Sequence, residues 1–361
     1  MIRIAKRADV GKREKVLIRT VSIALALLSA GFLILLIDLN PLAVYRAMFE
    51  GAVGTPYRIR ETIIKAIPLI ITSLGITIAF KMKFWNIGAE GQIMMGAFSA
   101  SYVALNWNFL PRPILLLTMA VAGVIGGGLW ALIPAFLKAK WSTNETIVTL
   151  MLNYVAIKWV TFLQFQAWKD PAALGFPKIA GFSPEAILPS LFGIHIGWII
   201  ALVLVFAVHL FMNKSKKGFE IAVLGESENT ARYAGIDIFK TILVAIFISG
   251  GIAGLSGMIQ VSAVARTLSV ELSAGVGFTA IITTWLSGLK PFVLVAVALL
   301  FAVMKQGGAY IQSAFGIPSA AAQLLEALIL FFVLGSEFFI QYKVIITGKI
   351  KNNTLADKEE K

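Results

Sequence analysis

The chain has 361 residues, of which 58% are hydrophobic and only 14% are charged, and this balance excludes a water-soluble globular protein. Several apolar runs are long enough to cross a bilayer, so the composition predicts a polytopic integral membrane protein. The absence of cysteine excludes disulfides, thiolate metal sites and thiol nucleophiles. The net charge of +13 follows from basic residues that cluster at span ends, as in the positive-inside rule, and does not indicate a nucleic-acid partner.

The N-terminal segment carries basic residues ahead of the first apolar run: Arg3, Lys6, Arg7, Lys12, Arg13 and Lys15. The run at 16–37 is too long for a signal peptide, and no small-residue cleavage site follows it. The sequence therefore predicts an uncleaved first span, preceded by a basic cytoplasmic tail at 1–16.

Hydropathy divides the rest of the chain into a transmembrane domain at 17–345 and a charged cytoplasmic tail at 346–361. An even number of crossings places both termini in the cytoplasm, and the basic clusters agree. The eighth crossing is too short to span alone, which indicates a half-helix or a broken helix. The fold class is all-α, with about ten membrane helices, at 17–37, 62–80, 88–106, 113–137, 146–167, 194–212, 241–261, 276–288, 292–312 and 319–342.

The third crossing opens with a polar stretch, "FWNIGAEGQIMMGAFSA", at 84–100. Asn86 suits a helix N-cap, and Glu90 falls in the first turn, where the helix dipole favours a carboxylate. Irregular polar backbone is tolerated at membrane depth only against protein or a water-filled cavity. Two interpretations follow: Asn86, Glu90 and Gln92 either cap an ordinary helix or face a translocation path.

The two long loops differ in character. The segment 168–193 contains four prolines and several glycines, which is typical of a shaped lid or docking surface. The segment 213–240 contains "GESENTARYAGI", with a helix start at Ser227 and a glycine stop at Gly235. This predicts either a short surface helix that docks into another protein or a solvated connection.

Motifs for enzymatic chemistry are missing from the sequence. It contains no phosphate-binding G-x-x-x-x-G-K-[ST] loop, no HExxH and no GxSxG, and it lacks metal-ligand spacing. We therefore expect no catalytic residue, no bound metal and no cofactor, and a transport pathway is the default function. His195 and His209 lie near span ends, where we expect interfacial hydrogen bonds.

Four segments occur in an order and spacing that resemble a known family: "FWNIGAEGQIMMGAF", "NETIVTLMLNY" at 144–154, "GFEIAVLGESENTARYAGI" at 218–236 and "SAGVGFTAI" at 273–281. They are similar to the permease subunits of ABC importers of the nucleoside and simple-sugar class. The resemblance covers roughly 60–340. It implies a plasma-membrane importer whose partners are an ATP-binding cassette ATPase, a second and paralogous permease, and an extracytoplasmic solute-binding protein.

The resemblance also implies roles for particular residues. The coupling contact with the ATPase falls on five residues of the 213–240 loop: Gly225, Glu226, Arg232, Tyr233 and Gly235. Apart from the resemblance, the polar residues themselves indicate a substrate pathway, which we expect to comprise Asn86, Glu90, Gln92, Asn153 and Trp285. For Trp85 and Trp285, which flank the glycine-rich segments, core packing and base stacking are the two alternatives.

The chain departs from the family's pattern at two places, and both leave the coupling assignment intact. Ala222 stands where the family usually has an arginine near the start of the coupling segment. The segment "TWLSGLKP" at 284–291 replaces a small-residue turn that borders the pathway, so it weakens inference of the substrate.

The sequence leaves open the substrate, the class of transporter and the relation between the two halves of the chain. Nucleosides are the first choice of substrate and simple sugars such as ribose the second. A different class, the ion-coupled secondary transporter, would use the intramembrane ionisable residues Lys305 and Glu326. In an importer permease, their matching depths predict a structural ion pair, and the alternative is separate contacts to pathway water or substrate. The glycine-rich broken helices flanked by Trp85 and Trp285 enter from opposite sides of the membrane, which is consistent with an inverted repeat.

Overall fold

The computed structural model describes residues 2–6 and 11–346, and the protein is almost entirely helical over that range. Two short antiparallel strand pairs are the exception, one made by β1 (Ile2–Lys6) and β4 (Tyr342–Ile346) and the other by β2 (Ser190–Leu191) and β3 (Ile194–His195). The helices are α1 (Lys12–Leu36), α2 (Pro41–Val53), α3 (Pro56–Lys81), α4 (Ala89–Asn106), α5 (Arg112–Trp141), α6 (Glu145–Phe162), α7 (Gly197–Lys214), α8 (Lys216–Glu226), α9 (Glu228–Tyr233), α10 (Ile238–Ile259), α11 (Val276–Leu286), α12 (Pro291–Phe315) and α13 (Ser319–Gln341).

Local sequence explains where the longest helices begin. The hydroxyl of Thr55 accepts a hydrogen bond from the amide of Arg58 at 3.2 Å, and Pro56 fills the first position of α3. Asn144 caps α6 in the same way, because its side-chain oxygen accepts from the amides of Thr146 and Ile147. Two segments, 163–167 after α6 and 260–265 after α10, continue their helices with π-type hydrogen bonding.

The chain forms two compact units, and the larger comprises residues 48–310. At its centre α4, α5 and α10 pack with their backbones in contact. A Cβ on Gly96 would overlap the Cα of Gly254, and a Cβ on Gly127 would overlap the carbonyl of Gly250. Small residues let membrane helices approach this closely, because no side chain separates the two backbones.

The smaller unit comprises the described residues of 1–47 and 311–361. Here α1 packs against α13, and β1 pairs with β4 in a register that joins Ile2 to Ile346. Residues 1–16, expected as a tail, thus include a strand and the start of α1. The phenol of Tyr45 donates a hydrogen bond to the carbonyl of Leu27 at 2.5 Å, which ties α2 to α1.

The number of spans differs from the ten predicted. In the described part of the chain, seven helices are long and apolar enough to cross a membrane, or eight if α1 and α2, bent by 112°, form one span. The 18-residue α4 is not among the seven, and its first turn carries Glu90 and Gln92. The predicted short eighth crossing is the 11-residue α11.

Two helices fall where connections were expected. Helix α2 lies between the first and second predicted spans. The sequence "NP" at 40–41 indicates its start, because Asn40 caps the helix and Pro41 occupies its first position. Helix α8 occupies the start of the 213–240 loop, and the hydroxyl of Ser215 caps it by accepting from the amide of Gly218 at 2.9 Å. That loop is therefore mostly helical.

Candidate functional site

Glu90 connects the beginnings of two helices of the larger unit. Its side chain belongs to the first turn of α4, yet Oε1 accepts a hydrogen bond from the amide of Gly275 at 2.9 Å and Oε2 accepts one from the amide of Gly277 at 2.7 Å. Glu90 is only 4% exposed. One carboxylate therefore lies at the positive ends of both α4 and α11, where unpaired amides and helix dipoles favour an anion.

Glycine is required where α11 begins. Gly275 has a φ of +76°, in the left-handed region that side chains avoid. A Cβ on Gly277 would lie 2.7 Å from both Oε2 and the Cα of Glu90. The close approach of the two helix starts therefore depends on the "GVG" in "SAGVGFTAI".

Asn86 and Gln92 form a reciprocal amide pair beside Glu90. The Nδ2 of Asn86 donates to the Oε1 of Gln92 at 3.1 Å, and the Nε2 of Gln92 donates back to the Oδ1 of Asn86 at 3.0 Å. Asn86 is not the N-cap that the sequence predicted, because that position belongs to Gly88, whose amide donates to Oδ1 of Asn86 at 3.1 Å. Both amide side chains are buried, so within this chain they organise the turn that precedes α4.

We call residues 82–88 the α4 entry segment, and one face of α6 holds its backbone in place. Glu145, Thr149 and Asn153 lie four residues apart, on one side of that helix. Asn153 accepts from the amide of Gly91 at 2.8 Å and donates to the carbonyl of Ile87 at 2.9 Å.

The other two side chains of this ladder continue along the segment. Thr149 accepts from the amide of Ile87 at 3.2 Å, and Glu145 accepts from the amide of Trp85 at 3.5 Å. Glu145 also pairs with Lys138 at 2.9 Å. Side chains from one rigid helix thus satisfy the polar backbone that the irregular segment leaves without helical partners.

We call residues 266–275 the α11 entry segment, and its contacts are of a different kind. The hydroxyl of Thr267 donates to the carbonyl of Ile179 at 2.9 Å, and the amide of Phe182 donates to the carbonyl of Arg266 at 2.9 Å. Gln164, in the π segment after α6, accepts from the amide of Val270 at 3.1 Å. This segment is therefore held mainly by the long 168–193 loop.

Three aromatic rings meet next to the α4 entry segment. Trp85 and Trp285 stack with their ring centroids 5.3 Å apart and an interplanar angle of 24°. Phe80 contacts both rings at 5.5 and 5.7 Å. Trp85 is 43% exposed, so the cluster presents an aromatic surface at the edge of the unit. The two tryptophans that flank the broken helices in sequence thus contact each other.

The short helix predicted in the 213–240 segment is confirmed. The hydroxyl of Ser227 caps α9 by accepting from the amide of Thr230 at 3.3 Å, and Gly235 ends the turn with a φ of +72°. Tyr233 is 94% exposed, and Arg232 makes a surface ion pair with Glu228 at 3.2 Å. Glu226, the last residue of α8, is also exposed.

Helix α8 is fixed to the ends of two longer helices. Gly225 packs so closely against α3 that a Cβ there would overlap the carbonyl of Lys81. Glu220 accepts from Nζ of Lys217 at 2.6 Å and from the hydroxyl of Thr241 in α10 at 3.3 Å. The hydrogen bond from Lys217 holds the pKa of Glu220 below its ordinary value. The surface helix α9 is thereby attached, through α8, to the residue that precedes the α4 entry segment.

Lys305 lies within α12 and is partly exposed. The side chain of Glu326 lies outside the described residues, so the predicted Lys305–Glu326 ion pair stays a prediction.

Comparison with known proteins identifies transport permeases, both in the family model and among the similar proteins. Residues 58–334 match the family model described as "Branched-chain amino acid transport system / permease component". A glucose ABC transporter permease protein of Haloferax volcanii is 33% identical, over 91% of this chain and 89% of the relative. A guanosine ABC transporter permease protein of Bacillus subtilis is 32% identical over 90% and 93%. A nucleoside ABC transporter permease protein of Lactococcus lactis subsp. cremoris is 29% identical over 96% and 98%.

Proposed function

Because this chain belongs to the permease family of the branched-chain amino acid transport system, we propose that it forms the translocation pathway of an ABC importer for nucleosides. It is a multi-pass plasma-membrane protein and a transporter component, not an enzyme. ATP hydrolysis belongs to a partner ATPase, and a solute-binding protein delivers the substrate. The observation that carries the permease role is the family match over most of the chain, 58–334.

The relatives support nucleosides as the substrate class, since two of the three described above are named for guanosine or nucleosides. The stacked pair Trp85 and Trp285 supports the same choice, because nucleobases bind well on aromatic faces. A simple sugar is the second candidate, favoured by the Haloferax relative named for glucose.

We assign the pathway to the region where the two entry segments converge. In transporters, discontinuous helices with their ends near the middle of the membrane commonly form the binding site. Glu90, Asn86, Gln92 and Asn153 are buried and hydrogen-bonded, so their proposed role is to shape the pathway by fixing the α4 entry segment. Trp285, with Trp85, is the residue proposed to face the substrate.

The arrangement of helices supports the inverted repeat. Helix α4 follows α3 through one entry segment, α11 follows α10 through the other, and the two short helices meet at Glu90. We propose that the two groups are related by a pseudo-twofold axis. With both termini in the cytoplasm, as the basic clusters favour, the α4 entry segment lies on the cytoplasmic side.

We propose that α9 inserts into the ATPase and that the second permease is a paralogue of this one. The exposed Arg232 and Tyr233 provide the contact surface, and Gly235 ends the helix. Movement of α9 reaches the pathway through α8, whose Gly225 lies against Lys81.

The test is transport by the assembled importer. The chain is reconstituted into liposomes with its ATPase, its second permease and its binding protein, and uptake of labelled guanosine, ribose and glucose is compared. We expect ATP-dependent guanosine uptake at least about tenfold faster than uptake of either sugar, which corresponds to roughly 1.4 kcal/mol of discrimination. Sugar uptake without nucleoside uptake would replace the substrate assignment and leave the permease assignment intact.

A further inference from the structure

A cavity of about 390 Å³ is lined by the end of the long loop and by the β2–β3 hairpin, within residues 187–195. Neither Glu90 nor the tryptophan pair lines it. Its walls come from α3, from the start of α5, from the end of the π segment after α10 and from the β2–β3 hairpin. The polar side chains that line it are Arg112, Ser190, His195 and Arg266.

His195 is the unusual member of this group. It is 7% exposed, and neither ring nitrogen has a hydrogen-bond partner among the described residues, so the expected interfacial hydrogen bonds are absent there. Buried polar side chains are normally paired. Burial also lowers the pKa of His195 to about 4, since the charged imidazolium loses water. The side chain is therefore neutral near pH 7, with one donor and one acceptor to offer.

The cavity has a surplus of positive charge. Arg112 comes from α5 and Arg266 from the α11 entry segment, and the guanidinium of Arg60 in α3 lies against Gly193 of the hairpin. Arg112 donates one hydrogen bond, to the carbonyl of Ile187 at 2.8 Å, which leaves most of its donors free. In the part of the chain that the structure describes, no carboxylate lines the cavity or forms an ion pair with these arginines.

We propose that this cavity binds a phosphate-type oxyanion, held by Arg112 and Arg266 and hydrogen-bonded to His195. Guanidinium groups match the geometry of phosphate oxygens with paired donors, and the imidazole N–H supplies another donor from the buried side. The same chemistry is offered by free inorganic phosphate and by the headgroup of an anionic phospholipid.

Direct binding is measured on the full-length chain in uncharged maltoside micelles, which contain no phosphate. Inorganic phosphate and short-chain phosphatidylglycerol are titrated separately by calorimetry. We expect saturable binding of at least one, weakened about tenfold or more by Arg266→Gln, because a charge-assisted hydrogen bond is lost. Lys178→Gln is the matched control: it removes one positive charge from an exposed side chain of the 168–193 loop that does not line the cavity.

The two titrations distinguish the possible sources of the phosphate group. Binding of inorganic phosphate indicates a free anion, and binding of phosphatidylglycerol alone indicates a lipid headgroup. Because Arg112 also bonds the loop backbone, Arg112→Gln serves as a second variant whose fold is checked by circular dichroism. The proposal is overturned if neither compound binds, or if Lys178→Gln weakens binding as much as Arg266→Gln does.

A second, independent test measures the titration of the His195 imidazole by NMR. The chain has two histidines, so ¹⁵N-histidine labelling in a His209→Gln background leaves a single labelled imidazole, whose two ring nitrogens report its protonation. His195 shares the cavity with Arg112 and Arg266, and Arg60 lies against Gly193 of the same hairpin. Burial disfavours the imidazolium, whereas a bound anion favours it. We expect the pKa of His195 to rise by roughly one pH unit or more when the anion binds. An unchanged titration at an anion concentration that saturates the calorimetric signal would place the anion elsewhere and refute the site.

Discussion

The two entry segments lead to the same carboxylate, but they are held in different ways. The backbone of the α4 entry segment is bonded by side chains from α6, a single continuous helix, and by the buried side chain of Asn86 within the segment. The α11 entry segment is bonded by Gln164 and by an irregular loop whose own structure rests on short turns. The first is therefore fixed to the helical core, while the second follows the loop. We infer that the α11 entry segment shifts more easily than the α4 entry segment when the transporter changes conformation.

Glu90→Gln should have the largest effect, because it acts on both segments at once. The amide that replaces one carboxylate oxygen presents hydrogens to the amide of Gly275 or Gly277, which leaves a buried donor unpaired and removes the negative charge. We expect about 2–4 kcal/mol of destabilisation and loss of most uptake. Thermal unfolding in detergent and uptake in liposomes are the measurements, with the exposed Glu185→Gln as control. Wild-type values for both would mean that the carboxylate is only a local cap.

Asn153→Ala should have the second-largest effect, and it tests how firmly α6 holds the α4 entry segment. It leaves the amide of Gly91 and the carbonyl of Ile87 without their side-chain partner in a buried setting. We expect roughly 2–3 kcal/mol of destabilisation. Gln164→Ala removes one bond to the α11 entry segment, at Val270, and one to the long loop, at Pro177, but at a partly buried position, where we expect about 1 kcal/mol. Equal losses of stability in the two variants would contradict the proposed difference between the segments.

Gly225→Ala tests whether α9 communicates with the α4 entry segment. The added methyl would push α8 away from the carbonyl of Lys81 without touching the surface of α9. We expect ATP hydrolysis to continue while uptake falls about fivefold or more, a coupling free energy of roughly 1 kcal/mol. Arg232→Ala with Tyr233→Ala removes the proposed ATPase contact instead, so substrate should no longer stimulate hydrolysis. If uptake and hydrolysis stay coupled in both variants, the proposed route is wrong.

Trp85→Ala should have the smallest effect on stability and a selective effect on transport. If a nucleobase stacks on this ring, its loss should slow guanosine uptake severalfold, since one stacking contact contributes about 1–3 kcal/mol. Trp85→Phe should retain most of the rate. Trp107→Ala is the matched control, because Trp107 is exposed to nearly the same extent, 42% against 43%, at the opposite end of α4. Similar losses in the two alanine variants would favour a packing role.

Local patterns predicted the elements of this site but not their pairing. The polar start of α4, the cap at Ser227 and the short α11 follow from composition and spacing over a few residues. The partners of Glu90 lie 185 and 187 positions away in the chain, and no periodicity in a single sequence encodes such a contact. Glu145 and Thr149 were missed for a related reason: they form a polar stripe with Asn153 on an apolar helix, which indicates a partner without identifying it.

The glycine contacts of α4, α5 and α10 have a mechanical consequence. Where Gly96 faces Gly254 and Gly127 faces Gly250, backbone meets backbone, so no side-chain rotamer can absorb a sliding movement. We infer that the three helices move as one rigid body. Rotation of this block would displace its two ends in opposite directions, as alternating access to a substrate requires.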